Sequence, residues 1–186
     1  MTVHVRLADP ERDAAAVAAI YRPAVEDGVA SFEEVAPSPD EMRERMRATI
    51  ERLPWLVAEA RGAVVGYAYA GPHRSRAGYR WSVDVSVYVD PAMHRRGIGR
   101  ALYRRLLGVL RRQGYVNVYA GVTLPNPASV ALHEATGMRR IGVYEGVGWK
   151  AGAWHDVAWF GMRLTAPVGE PSEPIALSRL AGPDRD

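Results

Sequence analysis

The chain has 186 residues, 48% hydrophobic and 24% charged, with no cysteine and a formal net charge of +3. That length suits one domain with a buried core, and a chain without cysteine has no disulfide, thiolate nucleophile or thiolate–zinc site. No run approaches the roughly 18 apolar residues of a membrane span, and the first residues lack a secretory leader's apolar stretch, so a cytoplasmic protein is expected. Lys150 is the sole lysine among the 24 basic residues, and the remainder are arginine. Residues 167–186 carry four acids against two arginines, which leaves +5 on residues 1–166.

Val3–Leu7 reads as a short strand. Asp9-Pro10 supplies an N-cap and a proline at the first helical position, and Ala14, Val17, Ile20, Tyr21 and Ala24 form the apolar stripe of a helix that Gly28 ends. Ser38-Pro39-Asp40-Glu41 is a capping box opening a second helix to about Arg52. Two strands, Trp55–Ala60 and Ala63–Ala70, flank Arg61-Gly62 as a hairpin. After a polar loop over Gly71–Gly78, residues 80–89 alternate, with Trp81, Val83, Val85, Val87 and Val89 on one face and Asp84 on the more polar one. A helix opens at Gly97-Ile98-Gly99, carries Leu102, Leu106, Val109 and Leu110, and stops at Gly114. A strand over Tyr115–Val122, a turn at Leu124–Pro127 and a short helix capped by Gly137 follow. Two strands close the pattern, near Arg139–Val147 and Trp154–Leu164. Proline, glycine and charge dominate from Pro167, so residues 167–186 are expected to be a disordered tail behind a 1–166 domain. The order β-α-α-β-β-β-α-β-α-β-β predicts one α/β domain, a mixed, mostly antiparallel sheet flanked by helices.

The segment from Val87 through Asp90-Pro91 to Arg95-Arg96-Gly97-Ile98-Gly99-Arg100 carries the most chemistry. A strand runs into a two-glycine loop and straight on into a helix. Unpaired amides at a helix start, on the positive end of its dipole, bind anions, and arginines add charge-assisted bonds to phosphate oxygens. Leu102 stands where a dinucleotide fingerprint has its third glycine, and no Gly-Lys-Ser/Thr follows to make a P-loop. Read alone, the glycine pair is equally an ordinary turn.

A second stretch, Asn126-Pro127 through Leu132-His133-Glu134 to Thr136-Gly137-Met138, makes the pattern specific. Strand, glycine loop, helix, strand and an Asn-led helix ending in glycine resemble the GNAT N-acetyltransferase superfamily. The resemblance is closer to its phosphinothricin and methionine sulfoximine/sulfone acetyltransferase branch. Its marks are Pro54-Trp55-Leu56-Val57-Ala58-Glu59, Tyr69-Ala70-Gly71-Pro72, Leu124-Pro125-Asn126 and the closing Gly148–Val157 stretch, GWKAGAWHDV. It runs from about Val5 to Leu164.

That resemblance implies acetyl-coenzyme A as co-substrate, with no metal, and a small amino-acid-like acceptor. The strand segment Val87, Tyr88 and Val89 would lie beside the acetyl-pantetheine arm. Arg95, Arg96, Gly97, Ile98, Gly99 and Arg100 would cradle the pyrophosphate, and Asn126 would bind the pantetheine side. Asp84, where the branch usually has glutamate, and His133, where it has histidine, would handle the amine proton, since an ammonium cannot attack a thioester until deprotonated. Phe32, Arg74 and Arg80 would contact the acceptor, a guanidinium fork suiting its carboxylate. Direct transfer without an acyl-enzyme agrees with the lack of cysteine, and a homodimer is also implied.

The sequence departs from that pattern at four positions. Asp84 is one methylene short, His73 stands where a tryptophan is common, His94 replaces glutamine or arginine, and Met138 replaces an aromatic. Trp149 and Trp154 read as packing of the last hairpin or a subunit interface. The five histidines are scattered, which argues against a metal site. The arginines from Arg95 to Arg112 suggest nucleic acid as a second partner class, but no stacking platform accompanies them. A non-catalytic acyl-coenzyme A binding protein, or an acetyltransferase for another amine or a protein N-terminus, is the remaining alternative.

Overall fold

The computed structural model describes residues 2–166 and 169–180. Four helices and seven strands appear in the expected order: β1 (His4–Leu7), α1 (Pro10–Glu26), α2 (Pro39–Ile50), β2 (Trp55–Ala60), β3 (Ala63–Pro72), β4 (Ser82–Val89), α3 (Ile98–Gln113), β5 (Asn117–Thr123), α4 (Pro127–Ala135), β6 (Arg139–Lys150) and β7 (Ala153–Arg163). They build one seven-stranded sheet in the order β1-β2-β3-β4-β5-β7-β6. Every pairing is antiparallel except β4 with β5.

Capping follows the sequence closely. Asp9 accepts from the Glu11 amide at the start of α1, Ser38 and Glu41 close a reciprocal capping box on α2, and Asn126 accepts from the Ser129 amide on α4. Some termini differ from those expected. The last hairpin is longer than expected, β6 running to Lys150 and turning through Ala151 and Gly152, both at positive φ. β5 begins at Asn117, and Tyr115 and Val116 are buried in the connection from α3.

The pleat divides the sheet's side chains between two layers. Val83 and Val85 join Leu56, Ala68, Val118, Ala120 and Phe160 under the apolar side of α3, where Leu102, Leu106 and Leu110 are fully buried. On the other face, α1 and α2 cover Trp55, Val57 and Tyr67 with Val17, Met42 and Met46. Arg6 joins β1, α1 and β2 there, donating to both carboxylate oxygens of Asp13 at 2.7 and 2.8 Å and to Glu59 at 2.8 Å.

Residues 169–180 do not lie free, as the composition of the 167–186 stretch suggested. Leu177 and Leu180 bury against Val109 of α3. Ile175 N–H donates to Gln113 O at 2.7 Å, Leu177 N–H to Arg52 O at 3.0 Å, and the buried Gln113 amide donates to both Arg52 O and Ile175 O. Two apolar side chains within a polar segment suffice to dock it, because Gln113 offers partners for its main chain at the end of α3. Residues 181–186 lie outside the described residues. No helix among the described residues is long and apolar enough to cross a membrane.

Candidate active site

β4 and β5 hold hands for three residues only, Ser82↔Asn117, Val83↔Val118 and Asp84↔Tyr119, and then diverge. Asp90 N–H donates to Val65 O and His73 N–H to Ser82 O, so even-numbered residues of β4 turn their main chain toward β3. By the alternation of strand main-chain groups, Val85, Val87 and Val89 turn theirs into the gap. A cavity of about 1040 Å³ fills that fork. Its walls are Val85–Val89 of β4, the α3 start, Gly121–Thr123 of β5, α4, and Ile20, Pro23 and Ala24 of α1.

α3 opens onto this cavity with no side-chain cap, unlike α1, α2 and α4. Its N-cap is Gly97 at φ 77°, and Arg95 just before it also has positive φ. A Cβ on Gly97 would meet nothing within 4 Å. Gly99 differs, since a Cβ there would lie 2.9 Å from a methyl of Leu132 on α4, which would have to shift. Arg95, Arg96 and Arg100 are exposed around the uncapped amides. His94 Nε2 donates to Val89 O at 2.9 Å, pinning the loop to the end of β4.

Of the remaining expected residues, Tyr88, Asn126 and His133 line the cavity, whereas Phe32, Arg74, Arg80 and Asp84 are not among its walls. Asn126 lines the cavity with its oxygen spent on capping α4. Tyr88 turns its ring away from the fork, onto Tyr67 (5.3 Å) and edge-on to Tyr21 (4.9 Å), and its main chain to β3. Asp84 and His133 are not brought together, because they occupy opposite faces of the sheet. His133 is buried between Tyr103 and Phe160 on the α3 side. Its Nδ1 donates to Ser129 O at 2.7 Å and its Nε2 therefore accepts from Tyr103 OH at 3.0 Å. Burial holds its pKa below the ordinary histidine value. A neutral imidazole with both nitrogens engaged has no lone pair to offer an ammonium.

Asp84 sits on the α1 face at the root of the fork. Burial pushes its carboxyl above the ordinary value, opposed by a hydrogen bond with His73 and the charge of Arg74. His73 Nδ1 lies 2.6 Å from Asp84 Oδ1, and its ring packs on Tyr119 with Tyr79 and Trp159 around it. Arg74 borders this group, its guanidinium donating to His73 O. Phe32 seats on Gly148 of β6, where a Cβ would come within 2.3 Å of its ring. Arg80 is elsewhere: it stacks over Trp81 at 3.9 Å and pairs with Glu173 of the C-terminal segment at 2.6 Å. Two residues outside the expected set hold expected ones in place, His73 on Asp84 and Lys150 on the loop that carries Phe32. His73 stood out in the sequence as a departure where a tryptophan is common, and Lys150 as the sole lysine. Lys150 Nζ donates to Val25 O, Ser31 O and Glu33 O at 2.6, 2.6 and 2.9 Å, binding the Phe32 loop to β6.

A sheet forked between two parallel strands, with an uncapped glycine-led helix at the fork, makes a cavity whose free amides suit an anionic ligand. The chain belongs to the acetyltransferase (GNAT) family, whose model matches residues 19–138. It is 39% identical to a phosphinothricin N-acetyltransferase of Streptomyces viridochromogenes over 88% of both chains. It is 36% identical to an L-methionine sulfoximine/L-methionine sulfone acetyltransferase of Salmonella typhimurium over 86% of this chain and 94% of that one. Among solved structures, a GNAT superfamily phosphinothricin acetyltransferase from Sinorhizobium meliloti in complex with AcCoA superposes with a TM-score of 0.88 at 36% identity, covering 97% of this chain and 98% of that one.

Proposed function

We propose that the protein transfers the acetyl group of acetyl-coenzyme A directly to the α-amine of a small amino-acid analogue of the phosphinothricin, methionine sulfoximine or methionine sulfone type. The carrying observation is the uncapped start of α3 at the cavity. The other three helices spend a side chain on their first amides. Those of α3 stay available to an anion, with Arg95, Arg96 and Arg100 around them and open space above Gly97. A pyrophosphate fits that donor set, and the names of the related proteins supply the acceptor class.

Acetyl-coenzyme A, when bound, supplies an activated thioester carbonyl. The chain's own groups do the rest. Main-chain donors of Val85, Val87 and Val89 face the fork and are placed to bond the arm and the carbonyl oxygen as it gains charge. The Asp84 side of the fork receives the amine proton, and Arg74 holds an acceptor carboxylate or phosphinate. His133 keeps the cavity's inner wall in place through Tyr103 and Ser129. Exposed Ile141, Tyr144, Val147, Trp149 and Trp154 on β6 and β7 support a homodimer pairing through that edge.

The test is thiol release with acetyl-coenzyme A against phosphinothricin, methionine sulfoximine, methionine sulfone, simple amines and a peptide N-terminus. Turnover confined to the amino-acid analogues is expected. Coenzyme binding with no turnover of any amine would leave a binding protein instead.

A further inference from the structure

An aspartate at position 84 ends about 1.5 Å short of where a glutamate carboxylate would stand. What extends its reach is His73, the first residue after β3. With the Asp84 carboxylate accepting, the 2.6 Å bond puts the proton on Nδ1 and leaves the lone pair on Nε2. No hydrogen bond to Nε2 is made among the described residues. The ring is fixed in that orientation, lying against Tyr119 at 4.6 Å and 33° with the rings of Tyr79 and Trp159 at 5.9 and 6.2 Å. Asp84 and Tyr119 are the last pair before β4 and β5 part, so the two side chains stand at the crotch of the fork. Through the imidazole the proton-accepting atom stands a hydrogen bond and the width of a ring from the Asp84 carboxylate, a longer span than the missing methylene.

We propose that His73 is the general base of the acceptor site, held by Asp84 in the tautomer that presents Nε2 to the incoming ammonium. This rests on the acetyl-transfer reading above. The ammonium gives one proton to Nε2, and Asp84 offsets the charge of the imidazolium. The freed nitrogen pair forms the N–C bond while the C–S bond breaks with its electrons on sulfur. The surplus proton of the nitrogen goes to that sulfur, and His73 returns its own to solvent. The groups facing His73 are Asp84 from β4, Tyr119 from β5, and Arg74 and Tyr79 from the loop that follows β3. None of the others is a competing carboxylate. A tryptophan at position 73 has no basic nitrogen, so this arrangement belongs to the pair of departures at 73 and 84 acting together.

The alternative is that His73 merely staples its loop to the sheet. His73→Asn separates the two, since its amide N–H reproduces the Nδ1 donor without a basic atom. For the acceptor amine, kcat in His73→Asn is expected to fall by about 100-fold or more at pH 7. The residual rate should climb as pH nears the amine's own ionisation, while acetyl-coenzyme A affinity by calorimetry stays within about threefold. A kcat within threefold of wild type with an unchanged pH profile overturns the proposal. Ring ¹⁵N shifts of the wild-type protein test it without turnover. Protonated Nδ1 and bare Nε2 are expected, relaxing to a mixture in Asp84→Ala, and a wild-type ring protonated on Nε2 overturns it. Should the wild type acetylate no amine at all, the functional reading falls on the assay and the Asp84–His73 pair still stands or falls on those shifts.

Discussion

Removing the ammonium of Lys150 should cost the protein far more than the loss of an ordinary surface charge. Its Nζ takes three carbonyls at once: Val25 O in the last turn of α1, and Ser31 O and Glu33 O in the loop beyond. α1 has no basic side chain in its last turn, so a residue 125 positions away neutralises the helix's negative end. Hydrogen bonds to a charged group contribute about 1.5–3 kcal/mol each. Lys150 is half-buried, and in Lys150→Met water would recover some of the three, so the expected net loss is roughly 2–4 kcal/mol by the same reckoning. For a chain of this length that is roughly 5–15 °C in Tm. Because the loop carries Phe32 on Gly148, the KM for the acceptor should also rise, with acetyl-coenzyme A affinity little changed.

Lys150→Arg makes the test sharper. Three acceptors converging on one nitrogen require a compact tripod of donors, and a planar guanidinium spreads its five over a fork. The arginine variant should therefore regain less than half of the lost stability despite keeping the charge. Urea unfolding of the three proteins decides it. A methionine variant within 1 kcal/mol of wild type, or an arginine variant equal to it, would refute the reasoning.

Three further outcomes follow from the same structure. Gly97→Ala places a side chain at φ 77° in the open space above α3. It should lower stability by about 1 kcal/mol but weaken acetyl-coenzyme A binding by tenfold or more in calorimetry. Leu177→Ala, or a stop after residue 168, strips the cover from Val109 and should cost roughly 2–3 kcal/mol in urea unfolding. His133 is held neutral by burial, its folded pKa lying below the unfolded value near 6.5. The unfolded chain then binds the extra proton, so this contribution is complete above about pH 6.5 and is lost as pH falls toward the folded pKa. Stability measured from pH 7.5 to 5 should fall more steeply for wild type than for His133→Gln, by at most about 1.4 kcal/mol per pH unit, and parallel curves would show that burial does not govern this histidine.

The elements were legible in the sequence because each carries local instructions. Asp9-Pro10, Ser38-Pro39-Asp40-Glu41 and Asn126-Pro127 are caps whose partners lie within three residues, and the alternation from Trp81 to Val89 holds through β4. The fork was not, since the same alternation continues past Asp84 whether or not a neighbour stays paired. Parity put Asp84 on the face opposite Val83 and Val85, but nothing local said that α1 rather than α4 covers that face. The expected partnership with His133 failed there. Arg80 was matched as a basic position, and what claims it is Glu173, 93 residues later in a segment read as disordered. His73 and Lys150 were visible as oddities, a histidine for a tryptophan and one lysine among arginines. Their roles depend on partners that only the folded chain assembles.

These oddities share a cause in the fork itself. Where β4 and β5 separate, main-chain groups of Val85, Val87 and Val89 lose their strand partner, and such groups cost stability unless water or a ligand satisfies them. A sheet opened in its middle is therefore held from outside the gap. On the α3 side, His94 bonds Val89 O, and Leu132 of α4 packs directly onto Gly99. On the α1 side, Lys150 ties β6 to the end of α1, and His73 ties the loop after β3 to Asp84 at the last paired position. Ligand in the fork would add its own bonds to the same unpaired groups, so saturating acetyl-coenzyme A should raise the unfolding midpoint by mass action. That gain should survive in Lys150→Met, whose brace lies on the acceptor side, and shrink in Gly97→Ala, whose change lies under the phosphates.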